Sequence, residues 1–272
     1  MKMNKITVYI VNYRYNIISN IPEVADFIYA VYAHFLDDNI FQSEETICIY
    51  KCGAKYSIQN NSQVFGVYDT IYEMLIYFDF FLSYFTIKRN KNLTIFHAAS
   101  LLLNDRQICI FGHANSGKST VSYLLHKKGC TFLTDEYLIY DLYTNEFYPF
   151  PRNIIIKKDN NILLDENVLN DDNPLYLFDQ RRYYKCSKIS KSKIKMGKCT
   201  FFGIEYNSVF QVKKYETADF LKMTLGGCMI RDRLTNTGLK NILDLSNSNN
   251  VFHIKYDSLS NKNLEVFFEL SR

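Results

Sequence analysis

The chain has 272 residues, 47% of them hydrophobic, with 22 tyrosines, 21 phenylalanines and no tryptophan. That length suits one large domain, or a core domain with a smaller appendage. A formal net charge of +4 is too small to argue for a nucleic-acid partner, and seven cysteines with neither a C-x-x-C pair nor a zinc spacing argue against a disulfide framework or a cysteine metal site, so a reduced, cytoplasmic setting is expected.

In chain order, Lys5–Tyr15 alternates apolar and polar residues as a hairpin broken near Asn12. Glu23–Leu36 spaces Val24, Phe27, Ile28, Val31 and Phe35 as a helix does. Thr46–Tyr50 and Lys55–Ile58 read as strands around a turn at Cys52-Gly53, completing a small N-terminal α+β layer over 1–67. Tyr68–Ile87 reads as a mostly buried aromatic helix; Asp69, Glu73 and Asp79 interrupt it far short of a membrane span, so no membrane partner is expected.

Leu93–Leu103 is a strand that carries His97, and Asn104-Asp105 turns it into Gln107–Phe111, an apolar run without alternation, as a strand buried on both faces reads. Gly112 to Ser119 then satisfies G-x-x-x-x-G-K-[ST] at every fixed position. Glycines let a backbone close on phosphate oxygens, the helix N-terminus adds a positive field, Lys118 bridges terminal phosphates and Ser119 completes a magnesium site. Val121, Leu124 and Leu125 put an apolar stripe on the next helix, which stops at Gly129. The spacing therefore predicts nucleoside triphosphate binding.

Asp135-Glu136 follows the next strand, placed to hold magnesium or to take a proton from an attacking hydroxyl, or else a solvated loop end. Thr144-Asn145-Glu146 turns a hairpin, and Tyr148-Pro149-Phe150-Pro151-Arg152 leads into Ile154–Lys157, with Arg152 in reach of an anion. Asp159 to Asp179 holds six acids, whereas Arg181 to Lys198 holds eight bases and no acid; the basic stretch reads as a mobile surface loop or a docking surface for an anionic partner. Thr200–Tyr206 and Ser208–Lys213 read as an antiparallel pair around Asn207. Glu216–Leu225 reads as a helix, Arg231 and Arg233 as a possible helix start, Val251–Tyr256 as a strand, and Asn263–Leu270 as a short helical or extended piece.

Strand with His97, phosphate loop, acid pair and Pro-Phe-Pro-Arg turn, in that order, resemble HPr kinase/phosphorylase and its shorter relatives. The matching stretches are FHAASLLLNDRQICIFGHANSGKST, KKGCTFLTDEYLIYD and YPFPRNIIIKK, and the likeness covers 68–157 well and the rest loosely. The resemblance implies an α/β fold of the phosphoenolpyruvate carboxykinase type with a mixed sheet, forming a kinase core over 68–272. It also implies phosphoryl transfer from ATP, with Mg2+, to a serine-type hydroxyl. On it, Gly112, Asn115, Ser116, Gly117, Lys118, Ser119, Thr120 and Arg152 bind nucleotide. Ser119, Asp135 and Glu136 hold metal, the acids share the base role, Lys118 stabilises the transferring charge and His97 lies near the phosphates. Short relatives that modify ribosomally made peptides point to a peptide or protein substrate.

Three departures stand out. Asn115 replaces a frequent loop glycine, Glu136 is a methylene longer than the usual aspartate, and the large N-terminal domain gives way to a short layer, which takes away the expectation of HPr itself as substrate. A small hydroxylated metabolite as acceptor is a second reading, favoured by a closed pocket. A nucleotide-dependent binding module is a third, though such a module needs no base. Homo-oligomerisation is left open.

Overall fold

The protein is described from a computed structural model over residues 3–37, 45–61, 63–157, 174, 176–178, 181–195 and 199–272. Two compact units, Met1–Asn90 and Lys91–Arg272, divide the chain.

The first unit is a five-stranded sheet in the order β1-β2-β3-β4-β5, with β1 Asn4–Ile10, β2 Tyr13–Ser19, β3 Glu45–Cys52, β4 Lys55–Asn60 and β5 Gln63–Tyr68. The first hairpin turns at Val11 and Asn12, both at positive φ (43° and 72°), the pattern that matches strand twist. Helix α1 (Pro22–Val31) starts with a proline in its first turn and buries Val24, Phe27, Ile28 and Val31, four of the five stripe residues expected. The aromatic helix is α2 (Ile71–Phe80), opened by a capping box between Thr70 and Glu73; it passes through a π turn at Phe81–Phe85 into α3 (Thr86–Arg89).

The division falls at Asn90 and not at the expected residue 67, because this helix is the core of the N-terminal unit. Met74, Leu75 and Phe78 are buried, the Phe78 and Phe27 rings lie 6.4 Å apart, and Tyr32 donates to Asp79 Oδ1 at 2.6 Å.

The second unit is mixed α/β. Its strands are β6 Leu93–Leu103, β7 Arg106–Phe111, β8 Thr131–Thr134, β9 Tyr137–Asp141, β10 Glu146–Tyr148, β11 Ile154–Lys157, β12 Tyr176–Phe178, β13 Arg181–Tyr184, β14 Ile194–Lys195, β15 Cys199–Tyr206, β16 Gln211–Lys214 and β17 Asn250–Tyr256. Its helices are α4 Lys118–Lys127, α5 Thr217–Gly227, α6 Asn236–Ser248 and α7 Asn261–Leu270. The main sheet runs β14-β10-β9-β6-β7-β15-β17-β16, with β7, β15 and β17 mutually parallel.

Alternate residues of the central strands feed two cores. Ile108 and Ile110 face α4 and α7, through Val121, Leu125, Leu264 and Phe267. Cys109 and Phe111 face α5 and α6, through Phe220, Ile242 and Leu245. Strand β6 carries two partners along one edge: residues 93–97 pair with β9, and 100–102 pair with β8.

Two expectations are corrected. Strand β16 does not pair with β15; the excursion through α5 and α6 returns β17 between them, parallel to β15 and antiparallel to β16. The basic stretch is also not all loop over its described part: 181–184 and 194–195 are strands, and 185–193 between them is irregular. Strand β13 is central to a three-stranded sheet (β11-β13-β12), and Tyr183, Tyr184 and Cys186 are buried, so apolar residues interleaved with the lysines anchor it. All six acids of 159–179 lie outside the described residues.

Candidate active site

Strand β7 delivers the chain into the loop Gly112–Gly117, and α4 starts at Lys118. Gly117 at φ 84° and Asn115 at φ 62° supply the left-handed turns, Asn being the residue after glycine that best tolerates them. Gly112 is needed for space: a Cβ there would stand 2.3 Å from Ser116 Oγ and 2.8 Å from the Ile204 carbonyl oxygen. From β17, the Tyr256 hydroxyl donates to the Ser116 carbonyl and ties the loop to the sheet. Lys118, 6% exposed, turns its ammonium back onto the loop and donates to the Gly112 and His113 carbonyls at 2.8 and 2.9 Å. Burial brings its pKa down to about 8, against the pull of Glu136 and Asp135.

The acid pair occupies the turn between β8 and β9. Asp135 is 5% exposed and accepts from the Ile155 amide at 3.3 Å, with the Ser119 hydroxyl beside it. Burial pushes its carboxyl up to about 6, with Arg152 pulling the other way. Glu136 lies half out of the protein, its side chain 39% exposed, and is bonded to the Arg152 guanidinium.

Arg152, expected to reach an anion, is 1% exposed and packs over the Tyr137 and Phe150 rings at 4.9 and 5.9 Å. It stands behind the acid pair and holds Glu136.

Around these groups is a cleft of about 180 Å3 lined by His97, Asn115, Gly117, Lys118, Ser119, Asp135 and Glu136, seven of the eleven residues singled out from sequence. Burial and the Lys118 ammonium lower the His97 pKa, so near neutral pH the imidazole is uncharged. Ser116 and Thr120 lie beneath the loop, their hydroxyls buried without a hydrogen-bond partner among the described residues. Lys157 and Arg181 also line the cleft and were missed. Each ends or begins a strand of the small sheet, and only their positive charge next to an apolar run hinted at it.

Among the described residues no group of three or more His, Cys, Asp or Glu is placed to hold a metal ion. The Ser119–Asp135 pair offers two oxygens instead, which fits Mg2+, an ion that keeps waters and substrate phosphates as its remaining ligands.

Across the loop a second pocket of about 710 Å3 is walled by Gly112, His113 and Ala114, by the end of β15 and by α5; His97 and Ala114 line both spaces. A hollow of similar size around Arg106 and Asn249 contains none of the residues singled out from sequence.

No family model matches the chain, and none of the curated proteins does. Among solved structures it is similar to the HPr(Ser) kinase/phosphatase from Coxiella burnetii, at 14% identity and a TM-score of 0.29, over 64% of this chain and 86% of that one. At that overlap neither fold nor activity passes from one protein to the other. No helix of the described residues is long and apolar enough to cross a membrane.

Proposed function

We propose that the second unit is an ATP-dependent, Mg2+-requiring phosphotransferase acting on a serine-type hydroxyl of a peptide or protein. The observation that carries this reading is the convergence, on one cleft, of a G-x-x-x-x-G-K-S loop, the Ser119–Asp135 pair and a second carboxylate, Glu136. A module that only binds nucleotide has no use for the second acid.

Each residue has a task. The loop amides and the α4 N-terminus receive the phosphate chain. Lys118 exchanges its bonds to two carbonyls for bonds to the terminal phosphates, and being largely buried it loses little solvation in doing so. Ser119 and Asp135 would hold Mg2+, whose charge would offset the negative charge that develops on the phosphates. Glu136, oriented by Arg152, accepts the hydroxyl proton as the acceptor oxygen bonds the terminal phosphorus. The bridge to the β-phosphate breaks and nucleoside diphosphate leaves with its electron pair. His97, uncharged, donates a hydrogen bond to the transferring group.

Purified protein incubated with γ-labelled ATP, Mg2+ and serine-containing peptides tests this: one added phosphate on a peptide serine, absent with Lys118→Ala, is the expected mass shift. Tight ATP binding with no transfer and no hydrolysis would reduce the protein to a nucleotide-binding module.

A further inference from the structure

The pocket of about 710 Å3 beside the loop is larger than the cleft and shares His97 and Ala114 with it. Its orientation is set by Lys118. In a phosphate loop this ammonium contacts the β- and γ-phosphates, while the Ser/Thr at the helix start marks the metal. Here the Lys118 ammonium rests on the carbonyls of Gly112 and His113, two residues of the pocket's wall. A terminal phosphate that takes Lys118 over from these two carbonyls would lie close to that wall, and His97, shared by both spaces, stands at the junction.

The pocket also lies beyond the carboxyl ends of the parallel strands β7 and β15, where open α/β sheets place their ligands. Its wall combines Phe111, Met223 and Met229 with Asp219 and Lys222. Glycine makes the room: a Cβ on Gly203 would meet Met223 Sδ at 2.9 Å.

We propose that this pocket, and not an open surface groove, seats the phosphate acceptor, whose hydroxyl reaches past His97 into the cleft that Glu136 lines: a hydroxyl borne on a body with both an apolar side and a charged or hydrogen-bonding end. Such a body is either one side chain of a peptide or a free small molecule of the same chemistry. The assignment rests on the phosphotransferase reading and adds to it where the acceptor enters.

The test fills the pocket in the full-length chain. Met223→Trp and Gly227→Leu both do so from one face of α5, four residues apart, and a Cβ on Gly227 meets Phe111 at an ordinary 3.5 Å. Calorimetry gives the Kd of Mg-ATP and of Mg-tripolyphosphate. Turnover of γ-labelled ATP is followed with water, with free serine, threonine and tyrosine, and with short peptides containing them. The expected result is a Kd within about twofold of the parent for both probes, with turnover down at least tenfold in either variant. Phosphate appearing on the free amino acids or on the peptides identifies which source the acceptor comes from.

A variant that binds ATP at least tenfold more weakly but tripolyphosphate normally would put the nucleoside in the pocket and overturn the proposal. Unchanged turnover with a filled pocket overturns it as well. Failure of the unaltered protein to bind either probe is a different result: it removes the phosphotransferase reading, and the pocket assignment with it.

Discussion

The Arg152 guanidinium is bonded to the Glu136 carboxylate from the protein interior, so an acid on the cleft wall is oriented by a cation that never reaches the cleft. Arg152→Lys keeps the charge but loses the planar fork and its stacking on Tyr137. It should lower kcat about tenfold or more while leaving the Kd of ATP within about twofold, as expected when an oriented proton acceptor is loosened. An equal loss in both, read by steady-state kinetics beside calorimetry, would make Arg152 a general prop of the site.

The two acids should separate by kinetics. Glu136→Gln removes the proton acceptor and should cost about 10²–10⁴ in kcat with nucleotide binding nearly intact. Asp135→Asn keeps the shape but weakens the Ser119 metal pair, so its defect should shrink as Mg2+ is raised. A Glu136→Gln defect relieved by Mg2+ would exchange the roles.

Protonation sets the working range. Asp135, raised to about 6, is ionised and fit for metal only above that pH, and Lys118, lowered to about 8, loses its cation above it. The pH profile of kcat/KM for ATP, which reports the free enzyme, should rise through about 6 and fall through about 8. Lys118→Arg should carry the falling limb upward, since a guanidinium stays charged throughout. Stability runs the other way for Asp135. Its folded pKa is above the ordinary 3.8, so the native state holds this proton more tightly and the group's contribution falls as pH rises from 3.8 through about 6.

Loop backbone requirements differ by position. Asn115→Gly keeps φ 62° accessible and should leave ATP affinity within about twofold, whereas Asn115→Val puts a branched side chain in the left-handed region and should cost about 1–2 kcal/mol of loop stability. Gly112→Ala sets a methyl against a backbone carbonyl and should weaken ATP binding more than tenfold. Calorimetry on the three variants orders them.

The folded state of the basic stretch can be checked by denaturation. Tyr184 is buried with its ring 4.9 Å from that of Tyr123 on α4. Tyr184→Ala should cost about 3–5 kcal/mol, the range for a buried aromatic, where a mobile loop would lose almost nothing.

What could be read in the sequence was local. The strand into Gly112, the left-handed fitness of Asn115, the glycine stop at 129 and the acid turn at Asp135-Glu136 each depend on a few neighbouring residues, and all stand where their spacing put them. What could not be read depends on distant partners. Arg152 read as an arginine in reach of an anion, and its place behind the acid pair was not legible because its burial comes from Tyr137 and Phe150 folding around it. The lysines of 181–198 outvoted Tyr183 and Tyr184 in any charge count, and nothing within Thr200–Lys213 announces that a strand forty residues on will come between its halves.

Strand β6 has a consequence for how the chain tolerates change in length. His97 is opposite Tyr137 in β9 and Ser100 is opposite Thr134 in β8, so Asp135 and Glu136 bulge out against Ala98 and Ala99. One continuous strand thus acts as a ruler that fixes the distance from the histidine to the acid pair. An inserted or deleted residue between 97 and 100 would slip one half of that edge past the other and turn the histidine to the opposite face, while the same change in the Asn104-Asp105 turn would leave the ruler uncut.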